Sequence, residues 1–431
     1  MLSISILAAL AACTPLEEAR TASEFFSSGN PTFVLATQGD EQADRGVAGQ
    51  VAFIRGLLFP AAAVVDDASI DVSAGASGWP ERPVLYGGGH LNSALGELTS
   101  CLPFKIGAGE LEIAGERYEG DEYRLIALVP SLAKTDSCAG SPQFMLYAGA
   151  GTPGVTEINA TPDGGYGFVV IDRFGMRDAG VWERDDAGQP QAKLTFRALR
   201  KPWRTTRVRA GEGLLPGVIV ARLETAIVSD AEGAQDQAIL RGVQLARARL
   251  GIESAKPLTV YLYADAKTKA SITRAGDGHA DQASRTLHVR ATDASIGGSL
   301  ELLVAHEATH VLADEAFGVS GCALFGEGLA VWVSGHYGSR SMLEWRLDPP
   351  RVEPGVQQLS GSAFRELAER RAYPIAGLFV DDLIHEHGLE AFIEHLYPAG
   401  PGGLDAACAA LGMRVDALDA LLRRYRNKTD K

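Results

Sequence analysis

Residues 300–312 read LELLVAHEATHVL and combine a helical spacing of apolar residues with two histidines. Neither proline nor glycine interrupts the sequence before Phe317, so the pattern predicts one continuous helix. Because residues four apart lie one turn above each other, His306 and His310 share one face of this helix. Two imidazoles placed in this way can bind one metal ion, with zinc favoured. Glu307 is next in register, close enough to a metal-bound water to act as its base.

A third ligand is expected from a neighbouring element, because catalytic zinc sites combine three protein ligands with one open position for water. The segment Leu324–Ala330 reads LFGEGLA and is predicted to begin a second helix. Its Glu327 follows His310 at a distance that allows a turn and an antiparallel return of the chain, which makes it the favoured third ligand. The alternatives are Asp314 and Glu315, which lie on the same helix as the histidines and too close to them to reach around the ion.

The two motifs together resemble those of the gluzincin metallopeptidases, the family of thermolysin and the zinc aminopeptidases. The first motif is HEATH at 306–310 and the second is GEGLA at 326–330, and the resemblance extends over roughly residues 255–397. It implies a single Zn²⁺ ion that is bound by three side chains, His306, His310 and Glu327. It also implies that Glu307 is the general base.

Two flanking features resemble further parts of the same family. The segment Thr286–Val289 resembles the edge strand along which gluzincins bind an extended peptide through backbone hydrogen bonds. Tyr373 occupies the place of a tyrosine that donates a hydrogen bond to the oxyanion, and it is therefore a candidate catalytic residue. Packing in the core is the competing interpretation of Tyr373, while His336 and Tyr337 are weaker candidates for the same catalytic role.

These features predict a zinc-dependent peptidase acting on a peptide or protein substrate. The string Gly-x-Met-Glu-Asn, with which the aminopeptidases of this clan bind a free amine, does not occur in the sequence, and this favours an endopeptidase. One alternative is a catalytically inactive zincin-like lipoprotein that serves as a binding or scaffold protein. A second alternative is an α/β hydrolase, which the absence of Gly-x-Ser-x-Gly disfavours.

The N-terminus predicts export and membrane attachment. Residues 1–12 form an apolar run with the length of a signal-peptide core, too short to cross a bilayer. The run ends in LAAC at 10–13, which resembles the lipobox of bacterial lipoproteins and implies a lipidated Cys13 anchored in a membrane of the cell envelope. Residues 13–30 are predicted to be a flexible tether. The alternative is an apolar N-terminus that simply frays.

The 431 residues are 46% apolar and 22% charged, as in ordinary globular proteins, and their number suggests two or three domains. With 40 basic and 54 acidic residues the net charge is -14. Nucleic-acid binding needs a basic face, so we expect no nucleic-acid partner.

The predicted fold class is α/β plus α+β. Short β-rich runs alternate with helical stretches over residues 31–180, which predicts a layered α/β domain with a largely parallel sheet and an unassigned role. Residues 181–216 are predicted to be a connector. Residues 217–431 are predicted to form a mostly helical, zincin-like catalytic domain with a small mixed sheet.

Four cysteines remain after Cys13, and an even number in an exported protein favours two disulfides. The favoured pairing is Cys101–Cys138 and Cys322–Cys408, because each bond then stays within one predicted domain. Four buried free thiols are the alternative.

Overall fold

The computed structural model describes residues 18–425, apart from residues 40, 89, 136–137, 152–164, 210–216, 224–231, 255, 283, 292–298, 351–353, 362 and 368. The predicted signal peptide and Cys13 lie outside the described residues. Among the helices that are described, none has both the length and the apolar character needed to cross a membrane.

The N-terminal half of the chain is built mainly of strands. These are β1 (Thr32–Leu35), β2 (Ala63–Asp66), β3 (Pro83–Tyr86), β4 (Phe104–Gly107), β5 (Glu110–Ile113), β6 (Glu116–Glu119), β7 (Arg124–Val129), β8 (Phe144–Gly149), β9 (Phe168–Asp172), β10 (Gly175–Arg184) and β11 (Pro190–Arg197). The described helices are α1 (Ala22–Ser27), α2 (Glu41–Leu58) and α3 (Ser93–Leu98), with two 3₁₀ segments at Asp67–Ser69 and Val72–Gly78.

Eight of these strands form the first sheet, in the order β11-β10-β9-β7-β8-β3-β1-β2. The pairs joining β2, β1, β3 and β8 are parallel, but the pairs from β8 through β7, β9 and β10 to β11 are antiparallel. The expectation of a largely parallel sheet is therefore wrong, and the sheet is mixed. One of these antiparallel pairs is set locally, because the two residues between β9 and β10 permit only a hairpin.

Successive residues of the first sheet point to opposite faces and build two separate cores. Phe33 belongs to a cluster with α1 and α2, whereas Val34 belongs to a cluster with α3 and the separate three-stranded sheet β4-β5-β6. Both side chains are at most 1% exposed. The first sheet is thus covered on both faces, as a layered α/β arrangement requires.

The described part of the predicted tether packs against the first sheet. In α1 the Phe25 side chain is buried and lies under the Arg82 guanidinium. Ahead of it, Ala19 and Gln143 exchange two hydrogen bonds, of 2.9 Å from the Ala19 amide and 2.7 Å to its carbonyl. Low β-propensity at 13–30 suggested a tether, but the phenylalanines of this segment supply apolar surface that packs on the protein body.

The C-terminal half contains strands β12 (Trp203–Val208), β13 (Val218–Leu223), β14 (Thr259–Tyr263), β15 (Gly278–Asp281), β16 (Thr286–Arg290), β17 (His336–Tyr337) and β18 (Arg340–Ser341). Its described helices are α4 (Glu232–Leu250), α5 (Ala266–Ala270), α6 (Leu300–Phe317), α7 (Ala323–Ser334), α8 (Met342–Leu347), α9 (Val356–Leu359), α10 (Ala363–Glu366), α11 (Glu369–His387), α12 (Leu389–Ala391), α13 (Leu404–Ala410) and α14 (Val415–Arg423), with a π-helical turn at Phe392–Leu396.

The second sheet has the order β12-β13-β14-β16-β15 and is also mixed. Residues 181–216, predicted to be a connector, contribute strands to both sheets: the end of β10 and β11 belong to the first sheet, and β12 belongs to the second. Mostly helical structure follows the second sheet, in agreement with the pattern read from the sequence.

The predicted edge strand is an interior strand of the second sheet. β16 pairs with β14 on one side and with β15 on the other. Of the described strands it is β15, Gly278–Asp281, that lies at this edge. The prediction was wrong because Gly-His-Ala-Asp lacks the β-branched residues by which strands are recognised, whereas β16 beside it contains Thr286 and Val289.

The two predicted disulfides have different outcomes. Cys101 and Cys138 are bonded, with their Cα atoms 5.7 Å apart, which confirms the first pair. Cys322 and Cys408 are free and buried, so the second predicted bond is wrong. Both thiols are part of one apolar core, where they pack as small hydrophobic groups. Burial raises the pKa of the Cys322 thiol to about 12.

Removing the Cys101–Cys138 disulfide should lower stability measurably. The bonded cysteines are 37 residues apart, and the bond stabilises the protein because it restricts the unfolded chain. Cys101→Ser/Cys138→Ser removes this restriction and should lower the free energy of unfolding by about 4 kcal/mol. Urea unfolding with and without dithiothreitol measures this loss. Dithiothreitol should shift the unfolding midpoint of the wild type and leave that of the double variant in place. A shift in the double variant would reveal a second disulfide.

Candidate metal centre

Two consecutive helices carry the candidate ligands. Helix α6 begins at the N-cap Ser299, whose hydroxyl accepts a hydrogen bond from the Leu302 amide, and it ends at Gly318, whose φ of +86° stops the helix. A short turn leads into α7. The sequence prediction of an unbroken helix through residues 300–317 is confirmed.

Helix α7 is held close to α11 by glycines on both sides of the contact. A Cβ atom on Gly328 would lie 2.5 Å from Val380, and a Cβ atom on Gly377 would lie 2.3 Å from Val331. These distances leave no space for a Cβ atom, so the two helices can pack this closely only because both positions are glycine. The second glycine of the GEGLA motif therefore fixes the depth of α7 in the core and, with it, the position of Glu327.

The structure brings the three candidate ligands together. The Glu327 Oε2 atom lies 3.3 Å from the Nε2 atom of His306 and 3.3 Å from that of His310. The two imidazole rings are nearly perpendicular, with centroids 5.1 Å apart. Within the described residues these three side chains are the group of histidine, cysteine or acidic residues whose ligand atoms converge, all within 4.8 Å of one another.

This arrangement fits a zinc ion. Zinc bonds of about 2.0–2.1 Å in tetrahedral geometry place neighbouring ligand atoms about 3.3–3.4 Å apart, which is the spacing seen between Glu327 and each histidine. The Glu327 Oε2 atom is also buried without a hydrogen bond of acceptable geometry. A buried carboxylate oxygen of this kind is costly, and a bound cation offsets the cost.

The charges at the site favour a cation as well. Burial opposes ionisation of Glu327, but the nearby His310 and His306 hold the pKa of its carboxyl well below the usual range. Burial likewise opposes protonation of His310, yet the Glu327 carboxylate raises its pKa to about 9. Glu327 is therefore ionised, and its negative charge attracts a positive charge to the site. Without a metal ion, a proton on His310 supplies that charge.

Glu307 lies beside this group and is not part of it. Its side chain is buried, and burial raises the pKa of its carboxyl. The Oε1 atom faces the backbone of β15, so closely that a Cβ atom on Gly278 would lie 2.5 Å from it. A carboxylate next to a metal-binding group, with little access to water, is suited to transfer protons.

The candidate ligands and Glu307 line a cavity of about 520 Å³. One wall of this cavity is the segment 274–280, which includes β15. His336, Tyr337 and Tyr373, the three candidates for an oxyanion donor, line the cavity too. The Tyr373 ring stacks on His306 with centroids 6.1 Å apart, and it packs at a tilt against Tyr337 with centroids 5.2 Å apart. Tyr373 therefore contacts the site and packs with aromatic neighbours at the same time.

The alternative third ligand Glu315 is engaged elsewhere. Its carboxylate forms an ion pair with Arg285 and accepts a hydrogen bond of 3.2 Å from Ser254. Asp314 does not belong to the converging group.

Sequence reasoning missed the segment 274–280 as part of the site. The signal that could have found it is the pair Gly276 and Gly278, which flank Asp277 shortly before β16. Gly276 has a φ of +96°, which favours glycine, and Gly278 provides the space that the Glu307 carboxylate occupies.

No family model and no curated protein matches the chain. Among solved structures, the M1 zinc metallopeptidase of Deinococcus radiodurans is similar over 59% of this chain and 62% of its own, with 13% identity and a TM-score of 0.28. A mutant of that enzyme is similar over 59% and 61%, with 14% identity and a TM-score of 0.28. A two-domain M1 zinc metallopeptidase mutant bound to L-arginine is similar over 59% of this chain and 61% of its own, with 14% identity and a TM-score of 0.28.

The chain thus spans less than two thirds of the length of these metallopeptidases.

Zinc binding should depend on all three converging residues. We expect one zinc ion per chain in the wild type, and a loss of zinc affinity of more than about 100-fold in His306→Ala, His310→Ala and Glu327→Ala, since even the partners of metal ligands typically contribute 10–100-fold. Mass spectrometry of bound metal and titration against a chelator measure this. Glu315→Gln is the matched control and should retain zinc. Retention of zinc by Glu327→Ala would contradict the assignment.

A methyl group on Gly278 should displace Glu307 without removing the metal. Because the added Cβ would lie 2.5 Å from Glu307 Oε1, Gly278→Ala should lower any hydrolytic kcat by about 10-fold or more while zinc stoichiometry stays at one. Steady-state kinetics together with metal analysis test this. The control is Gly107→Ala, at a strand glycine with open space around it. Equal kinetics for both variants would show that β15 does not confine Glu307.

Proposed function

We propose that this protein is a zinc-dependent endopeptidase in which Glu307 is the general base. The observation that carries the proposal is the convergence of His306, His310 and Glu327 beside a second, buried carboxylate in one cavity. His306, His310 and Glu327 would hold the ion. When bound, zinc would lower the pKa of a coordinated water and polarise the carbonyl of the substrate.

The residues of the chain would then divide the work of hydrolysis. Glu307 would accept a proton from the water as its oxygen bonds to the carbonyl carbon, and it would donate that proton to the departing amine as the carbon–nitrogen bond breaks. Tyr373, which lines the same cavity, would donate a hydrogen bond to the developing oxyanion. Burial of Glu307 supports this role, because its raised pKa makes the carboxylate a better proton acceptor.

The position of β15 supports an extended peptide as substrate. β15 lies at the edge of the second sheet and forms a wall of the cavity, so its outer backbone groups can pair with a peptide by strand addition. In the same wall, Asp277 forms an ion pair of 2.5 Å with Arg290. A carboxylate neutralised in this way is poorly suited to bind a free terminal amine, which favours cleavage within a chain.

We also propose that the protein works at the cell envelope, attached to the membrane through a lipidated Cys13. The lipobox-like LAAC string supports this. The chain packs on the protein body from Glu18 onward. Four residues would therefore separate Cys13 from Glu18, and this length of chain spans at most about 18 Å. Globomycin-sensitive processing and recovery of the protein in the membrane fraction would test this.

Glu307→Gln should separate metal binding from catalysis. The variant should retain zinc and lose about 10²–10⁴-fold in kcat, because the amide cannot accept the proton of the water. The assay uses a peptide library in two forms, with free and with acetylated N-termini, and an endopeptidase should cleave both forms at the same internal bonds.

The matched control is Glu301→Gln, which changes a glutamate of α6 that pairs with Arg241 at 2.6 Å. Its activity should equal that of the wild type. Zinc-loaded wild type that cleaves no member of the library would favour the scaffold alternative, and full activity in Glu307→Gln would refute the assigned base.

A further inference from the structure

A layer of buried and partly buried polar side chains connects the first sheet to β15. Its members come from both sheets, from α5 and from the turn between β15 and β16, and they are linked by hydrogen bonds or ring stacking. We call this set the polar layer. It consists of Arg124, Tyr263, Lys269, His279, Asp281, Ser284, Thr286 and His288. Lys269 and His288 are 0% exposed. Polar groups at this depth are costly unless they are satisfied, so the layer fixes the relative positions of its members.

One end of the polar layer joins the first sheet to β15. Arg124 is the first residue of β7, and its Nη2 atom lies 2.5 Å from the Oδ2 atom of Asp281, the last residue of β15. Both side chains are at most 9% exposed. The other carboxylate oxygen of Asp281 accepts hydrogen bonds from the amide and the hydroxyl of Ser284, at 2.8 and 2.7 Å. The end of β15 is therefore attached to a strand of the first sheet.

The middle of the polar layer lies on β16. The hydroxyls of Ser284 and Thr286 are 2.7 Å apart, and Thr286 Oγ1 lies 3.3 Å from His288 Nε2. The Tyr263 hydroxyl lies 2.7 Å from His288 Nδ1. Burial lowers the pKa of His288 to about 3, so the ring is neutral. A neutral ring can accept from Tyr263 and donate to Thr286, and the hydrogen bonds then run in one direction to Asp281.

The other end of the polar layer holds the segment that precedes β15. The Lys269 ammonium donates hydrogen bonds to the Arg274 carbonyl, at 2.8 Å, and to His279 Nδ1, at 2.9 Å. The His279 ring stacks flat on His288, with centroids 4.6 Å apart and planes 3° from parallel. The buried Lys269 ammonium therefore binds a backbone carbonyl and a side chain of the segment that forms the cavity wall.

β15 is consequently fixed at Asp281 and at His279, and Gly278 beside His279 is the residue that lies against Glu307. We propose that Arg124 and Lys269 are positioning residues, which hold β15 against the catalytic glutamate and make the first sheet a structural part of the active centre. This inference rests on the proposed function, because it takes Glu307 to be catalytic. It assigns the N-terminal half of the chain a role that the sequence left open.

The test is hydrogen–deuterium exchange of the full chain, followed by mass spectrometry of peptides that cover 274–281. In Arg124→Gln and in Lys269→Met, exchange in these peptides should be at least about 10-fold faster than in the wild type. Peptides from α6 should keep their protection, and zinc stoichiometry should remain one. Unchanged exchange at 274–281 in both variants would overturn the inference.

Arg173→Gln is the matched control. Arg173, in the turn between β9 and β10, also reaches the second sheet, where it donates a hydrogen bond of 3.1 Å to the Tyr261 hydroxyl on β14. Exchange at 274–281 should not change in this variant. If it rises as much as in Arg124→Gln, a general loosening of the contact between the sheets explains the result and the inference is wrong.

Should Arg124→Gln fail to fold, the double variant Arg124→Met/Asp281→Leu replaces the ion pair by apolar groups of similar size, a change that proteins often tolerate. Because Asp281→Leu also removes the acceptor of both Ser284 hydrogen bonds, peptides at 274–281 should still exchange faster in this variant. Wild-type exchange would again overturn the inference. These readouts do not depend on hydrolysis. A wild type without peptidase activity would defeat the proposed function, while exchange at 274–281 would still decide whether the polar layer holds β15.

Discussion

The structure depends most on a carboxylate whose Oε2 atom is buried between two imidazoles. Glu327 Oε2 is 3.3 Å from both histidines, deep in the contact between α6 and α7. A buried charge is tolerated only where opposite charge surrounds it. The fold meets this requirement by bringing α7 back along α6 immediately after a glycine stop, and by using glycines to seat α7 closely against α11.

A second constraint acts from the opposite side of the cavity. Glu307 has space for its carboxylate only because β15 presents a glycine there, and β15 is short and rich in polar residues. A strand of this kind has little packing of its own. Its position is instead specified by buried polar contacts, with Arg124 at one end and Lys269 at the other. The two halves of the chain therefore meet at the residues that shape the cavity.

The sequence was sufficient for features that short-range patterns encode. The helix at 300–317 and the convergence of Glu327 with the histidines follow from spacing within one or two elements. The Cys101–Cys138 bond follows from the presence of both cysteines in one predicted domain. Long-range pairing was not encoded in this way. The parallel and antiparallel halves of the first sheet, the free Cys322 and the place of β15 at the sheet edge depend on contacts that single segments do not reveal. His279 and Asp281 gave β15 no strand-like sequence pattern, and the same two residues make the polar contacts that fix its position.

The central claim is that three side chains from two successive helices bind one zinc ion. X-ray absorption at the zinc edge of the purified, zinc-loaded protein tests it most directly. The account predicts a four-coordinate ion with only nitrogen and oxygen neighbours, two of them imidazoles, at about 2.0–2.1 Å. A spectrum with a sulfur neighbour, with fewer than two imidazoles, or identical to that of the Glu327→Ala variant would contradict it.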